Sequence, residues 1–168
     1  GQEIGELENG VYNDYTGANK QEYDYMVRAV DIDDNFADST IATGKASFNG
    51  NTIAVFSSPE DYLKLLYGYS NPISKSKTYS QGGALLALDG RAYPVVEFTP
   101  FKGQQMNLTC FFENVDELDE LIDLLHVKEP LIFRDNDGSV IVGAVFNITS
   151  NRNQFGYLVS FSLTEVEV

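Results

Sequence analysis

The chain has 168 residues, and its 11 Lys and Arg against 25 Asp and Glu give a formal charge of −14. Apolar side chains make up 43% of it, enough for one sizeable core and too many for a disordered acidic chain. Nucleic-acid phosphates and anionic lipid surfaces both require clustered cations, and the densest group here is Lys75 and Lys77, with Arg91 further on. No sequence-specific nucleic-acid binding is therefore expected. Nor is membrane insertion, because no apolar run approaches the roughly 18 residues of a spanning helix.

Residues 1–20 are polar, Gly-rich and without a sustained period, and read as an extended or flexible arm before a single β-rich domain over 21–168. From 21 to 31, Tyr23, Tyr25, Val27 and Ala29 alternate with Asp24, Met26, Arg28 and Val30, a strand pattern. Residues 33–38 break it, and a weaker run covers 40–48. Asn49-Gly50-Asn51 reads as a tight hairpin turn, because Asn and Gly tolerate a left-handed backbone, with 52–56 as the returning strand.

A first helix is predicted over about ten residues from Ser58. Ser58 would cap it, Pro59 would fit its first turn, Asp61 would complete a capping box, and Tyr62, Leu65 and Leu66 would share a face up to Gly68. Residues 69–84 read as a polar connection. Leu85 to Leu88 form a short apolar run, Asp89-Gly90 a turn and 93–98 a strand whose Pro94 points to an edge. After a loop over 100–105, Met106, Leu108, Cys110 and Phe112 alternate with Asn107, Thr109 and Phe111 as a half-buried strand. Asn114 would cap a second helix with Glu117 completing the box, and Val115, Leu118, Leu121, Ile122 and Leu125 make its apolar stripe. The remainder reads as a meander. Its strands cover 131–134, 140–148 and 157–163, with turns at Asp135-Asn136-Asp137-Gly138 and at 150–154. The fold class is thus mainly β with two short helices: an antiparallel β-barrel or two-sheet sandwich with a flanking helix.

Groups for chemistry are few. One cysteine, Cys110, lies in an apolar run and reads as a buried small hydrophobe. One histidine, His126, stands at the end of the second helix, where the dipole favours it. Asp31, Asp33, Asp34 and Asp38 offer oxygens for calcium but lack the Gly and Glu of an EF-hand, so a solvated acidic loop is the simpler reading. Asp135-Asn136-Asp137-Gly138 begins like a calcium loop but has no closing Glu, and a turn explains it. Ser57-Ser58 reads as a helix cap, not a nucleophile. Asn107-Leu108-Thr109 and Asn147-Ile148-Thr149 match a glycosylation pattern but fall within predicted strands, and Gly82-Gly83 forms no phosphate loop. Paired carboxylates around a sugar cleft would be the remaining catalytic option. Tyr62, Tyr67, Tyr69, Tyr79 and Tyr93 could stack on sugars, though core or interface is the plainer role. No catalytic, cofactor or metal residue is assigned, no cofactor is expected, and no enzyme is expected.

Leu121-Ile122-Asp123-Leu124-Leu125 leads into Glu129-Pro130-Leu131-Ile132-Phe133-Arg134-Asp135, then Gly138-Ser139-Val140-Ile141-Val142-Gly143-Ala144-Val145. The chain closes on residues 151–166, ending Ser160-Phe161-Ser162-Leu163-Thr164-Glu165-Val166. This order of helix, strand, Asp-Gly turn, strand, polar turn and closing strand resembles structural proteins of long-tailed bacteriophage tails, in the distal-tail and minor-tail class. The resemblance is strongest over 85–168, and 1–50 carry no matching signature. It implies a tail-tube-like fold and no catalytic residues. It also implies a virion protein of the tail, assembled in the bacterial host cytoplasm, that forms or joins a ring around the tail channel. Its partners would be copies of itself and other tail structural proteins. The alternative reading is a carbohydrate or host-surface binding domain, assisted by calcium.

Overall fold

The computed structural model describes residues 5–6, 10–65 and 74–168, apart from the side chain of Phe101. Its strands are β1 (Glu22–Tyr25), β2 (Arg28–Val30), β3 (Phe36–Asp38), β4 (Ala42–Lys45), β5 (Thr52–Val55), β6 (Leu63–Lys64), β7 (Ser74–Leu86), β8 (Val95–Phe112), β9 (Leu131–Arg134), β10 (Val140–Asn153) and β11 (Gly156–Glu165), with one helix, α1 (Val115–Leu125). The main sheet has seven antiparallel strands in the order β6-β5-β9-β10-β11-β8-β7, and two two-stranded sheets pair β1 with β4 and β2 with β3. No ladder joins β6 to β7 among the described residues, so the expected barrel is not closed.

The core lies on one face of the main sheet, under α1. Cross-strand partners share a face, and the ladders line up apolar partners: Ile53 with Phe133, Phe133 with Ile141, Leu163 with Met106, Phe161 with Leu108 and Val159 with Cys110. Leu118, Leu121 and Leu125 of α1 join the same buried cluster, with Ile122 and Val145 packed against it, as the matching periods of 3.6 and 2 imply. Val115, at the start of that stripe, is exposed. The opposite face of β8–β11 carries a polar ladder, in which Thr109 Oγ1 meets Ser160 Oγ at 3.0 Å and Ser162 donates to Asn107 Oδ1 at 2.7 Å.

Several expectations are corrected. The first helix does not form over the described part of its range, where turns lead into β6; Leu66 to Gly68 lie outside the described residues. Leu63 instead faces Ile53 across a ladder, and Leu65 N donates to Asn51 O at 2.9 Å, so tertiary pairing overrides the local capping signal. The tight hairpin turn expected at Asn49-Gly50-Asn51 is only a bend at Gly50, with φ +89°, and its flanking strands do not pair: β4 pairs with β1, and β5 with β6 and β9. The polar stretch read as a connection is β7 from Ser74 onward, and residues 69–73 lie outside the described residues. The loop over 100–105 is an internal part of β8. Phe98 faces Gly83 and Lys102 faces Gln81, so Thr99, Pro100 and Phe101 stand against Gly82 alone. That bulge accommodates a proline without a ladder N–H. The polar turn expected at 150–154 is shorter, because β10 continues to Asn153. Asn114 stands at the N-cap of α1 with extended backbone, but its side chain makes no capping bond and contacts Glu117 Oε1 at 3.5 Å instead.

Candidate functional site

Two ribbons project from the packed core, and both expose apolar side chains. The outer part of the β7–β8 hairpin is solvated on both faces. Tyr93 is 83% exposed, Leu85 71% and Phe98 63%, with Val96 and Tyr79 also open. Leu85 faces Val96 and Gly83 faces Phe98 two positions on, so Leu85, Val96 and Phe98 share one face of this arm. The second ribbon is β2–β3, the outer storey of an interrupted hairpin whose inner storey is β1–β4. Val30 and Phe36 are exposed on it, Ile32 at its tip is 99% exposed, and Ile41, just before β4, is exposed as well.

Charge holds the tip in shape. Asp31 Oδ1 accepts from the N–H groups of Asp33 and Asn35, both at 2.9 Å, and the Asn35 side chain donates to Oδ2 at 3.0 Å. The Asn35 bonds hold the Asp31 carboxyl below its usual range. Asp34 sits at φ +60°, a left-handed turn position that Asp tolerates. Arg28 grips Asp38 with two parallel bonds of 2.7 and 2.9 Å, and its guanidinium lies 4.3 Å from the centre of the Phe36 ring. The four carboxylates considered for calcium are thus divided between a turn, an ion pair and solvent. Among the described residues, no three His, Cys, Asp or Glu side chains gather to hold a metal.

The second Asp-rich turn is filled from within. Lys75 Nζ lies 2.7 Å from Asp135 Oδ1, 3.2 Å from Asn136 Oδ1 and 2.8 Å from Asp137 Oδ2, while Lys77 donates to Ser139 Oγ at 2.6 Å. Burial pulls the Lys75 ammonium down, but its bonds to Asp135 and Asp137 outweigh that and raise it. The ammonium thus sits among the side-chain oxygens of this turn. It also ties β7, at one edge of the main sheet, to the turn between β9 and β10.

A cationic cleft of about 360 Å³ lies on the sheet face away from the core, lined by Phe48, Asn49, Thr52, Tyr62, Lys64 and Arg134. The ladders make it: Lys64 faces Thr52 and Thr52 faces Arg134, a row across β6, β5 and β9. Arg134 is only 7% exposed. Its Nε donates to Thr52 Oγ1 at 3.2 Å, and its guanidinium lies 4.7 Å from the Phe48 ring centre and 5.8 Å from that of Tyr62. Burial lowers the guanidinium pKa, partly offset by Tyr62 and Asp14.

The chain before β1 leans on this side. Asn19 is buried; its Nδ2 donates to Phe48 O at 2.8 Å and Asn136 O at 2.9 Å, and its Oδ1 accepts from Phe48 N at 3.0 Å. Asp14 accepts from Thr16 and from the Tyr25 hydroxyl at 2.9 Å. Burial and that bond push the Tyr25 phenol up to about 12.

No protein-family model matches the chain, and no curated protein matches its sequence. Among solved structures, the chain is similar to a protein in the virion of a native gene transfer agent particle, at 8% identity and TM-score 0.44, over 73% of this chain and 96% of that one. It is similar to another in the tail of the empty gene transfer agent particle, refined with C6 symmetry, at 7% identity and TM-score 0.47, with the same shares covered. A third similarity is to the Dit protein of SPP1, described as a paradigm of the hub adsorption apparatus in phages infecting Gram-positive bacteria. It stands at 13% identity and TM-score 0.49, over 70% of this chain and 50% of that one.

The residues singled out in the sequence are placed as follows. Cys110 is buried in the core. His126 is the C-cap of α1, and its Nδ1 lies 2.7 Å from Ile122 O, a contact that needs the proton on Nδ1. Ser57 donates to Glu129 at 2.7 Å. Asn107 and Asn147 lie within β8 and β10. Tyr62 borders the cationic cleft, Tyr79 and Tyr93 stand on the exposed arm, and Tyr67 and Tyr69 lie outside the described residues. Arg134 and Lys64 were not legible as a pair, because only the β5–β6 and β5–β9 ladders bring them into one row. No helix among the described residues is long and apolar enough to cross a membrane.

Proposed function

We propose that this chain is a structural subunit of a phage tail or tail-like particle, which forms or joins a ring around the tail channel by self-association. The observation that carries the reading is the pair of projecting ribbons, with Leu85, Tyr93, Val96 and Phe98 on one and Ile32 and Phe36 on the other, open to solvent beside a well-packed core. Apolar side chains presented in this way fit burial against neighbouring subunits. The tail-like order of elements over 85–168 supports the same reading. Catalysis has no part in it, and the partners are further copies and other tail proteins of the virion. A charge of −14 per chain, repeated around a ring, would keep DNA phosphates from sticking to the channel.

Electron microscopy of the particle that contains this chain tests the proposal. A closed ring of copies around the channel is expected. A place outside the tube wall, as a separate decoration, would overturn it and favour host-surface binding.

A further inference from the structure

The cationic cleft is unusual for so acidic a chain. Lys75 has two carboxylates and Arg28 has one, whereas Arg134 and Lys64 form no ion pair among the described residues. Arg134 is nonetheless buried, with its guanidinium held between Phe48 and Tyr62 and one nitrogen anchored on Thr52. Burying a cation with no carboxylate in direct contact is costly, Asp14 offsetting only part of that cost without touching the guanidinium, and an arriving carboxylate would relieve more of it. A planar guanidinium is also suited to carboxylates, because it offers parallel donors. Lys64 adds an exposed second charge along the same ladder row, 5.9 Å from the Tyr62 ring centre. The cleft therefore offers two cations with aromatic flanks.

The complementary shape occurs on the same chain. At the tip of the β2–β3 ribbon, Asp31 is used by the turn and Asp38 by Arg28, but Asp33 and Asp34 accept no side-chain bond among the described residues. The tip sets these two free carboxylates beside the fully exposed Ile32 and the exposed Phe36. Carboxylates flanked by apolar side chains match cations flanked by rings.

We propose that the cleft lined by Phe48, Tyr62, Lys64 and Arg134 receives the β2–β3 tip of a second copy of this chain, with Asp33 and Asp34 pairing with Lys64 and Arg134. The site and its ligand lie on different surfaces, so the contact is head-to-tail, the kind that closes into a ring when the rotation per subunit permits. This rests on the ring-subunit reading and adds to it a specific polar lock, distinct from the apolar arm of β7–β8.

The test uses the full chain. Unlabelled and nitrogen-15-labelled copies are mixed at high concentration and treated with a carbodiimide, which joins amines to carboxylates in direct contact. Isotopically mixed peptides linking Lys64 to Asp33 or Asp34 are expected, and they should vanish in the Asp33→Asn/Asp34→Asn variant. Sedimentation supplies a second readout that leaves buried Arg134 untouched. Lys64→Glu should weaken self-association about tenfold, as should Asp33→Lys/Asp34→Lys, and combining the three changes should restore most of it. If the chain associates but Lys64 links only to other acids, or Lys64→Glu associates normally, the lock is wrong and the ring reading stands without it. If the chain does not associate at any concentration, alone or in its particle, the ring reading fails and the lock falls with it.

Discussion

The inner sheet and the outer arm share strand β8, yet its two halves obey different rules. In the last part of β8, from Met106 to Phe112, every second residue is buried against β11 and α1. In the first part, from Val95 to Phe98, the strand still pairs residue for residue with β7, but neither face meets the core. The inner half is held by burial, and its register is fixed because a one-residue slip would turn Leu108 and Cys110 outward. The outer half is held by its backbone ladder alone, and a two-stranded ribbon of that kind is marginal by itself. Substitutions in the inner half should therefore change stability, and those in the outer half should change association.

The largest expected effect is in the core. Leu121 is fully buried on α1, so Leu121→Ala should destabilise the fold by about 2–5 kcal/mol through lost burial and the remaining cavity. Denaturant unfolding checks this, and a change under about 0.5 kcal/mol would mean that α1 does not seal the core.

Asn19 sits between these extremes, outside the meander but buried against it. Asn19→Ala would leave the backbone groups of Phe48 and Asn136 without their partner. A loss of about 1–3 kcal/mol is expected in the same measurement. An effect near zero would show that water replaces the amide.

The Tyr25–Asp14 contact gives a smaller and pH-dependent effect. The Tyr25 phenol titrates higher folded than unfolded, so its contribution is complete below pH 10 and is lost as pH rises from 10 towards about 12. Asp14 is held below its usual range, because its bonds from Thr16 and Tyr25 outweigh burial, so its contribution is lost as pH falls below about 4. Absorbance titration should show a late tyrosinate that moves part of the way back towards the normal range in Asp14→Asn, burial holding the rest of the shift. A late step that does not move at all in that variant would assign it to another tyrosine.

How much was legible follows the same division. Met106, Leu108, Cys110 and Phe112 alternate in the sequence because only one of their faces is buried, and the α1 stripe from Leu118 to Leu125 is legible for the matching reason. The β7 stretch SKSKTYSQGG carries no period, because both of its faces meet water and β8 alone makes it a strand. Ser58-Pro59-Glu60-Asp61 carries a helix signal that the pairing of Leu63 with Ile53 overrides. The cleft was hidden for a further reason. Arg134 ends a strand whose four residues are all buried, so its alternation does not reveal a second face, and Lys64 joins it only through Thr52.

The smallest expected change in stability carries the largest expected change in assembly, and it tests most directly whether the arm is an assembly element. Leu85→Ser/Phe98→Ser removes exposed apolar surface from one face of the β7–β8 arm without touching the core. Sedimentation at matched concentration, beside a thermal melt, should show wild-type chains associating and the variant remaining monomeric, with its stability changed by less than about 0.5 kcal/mol. A variant that associates like the wild type, or that unfolds with the core, would contradict that role for the arm.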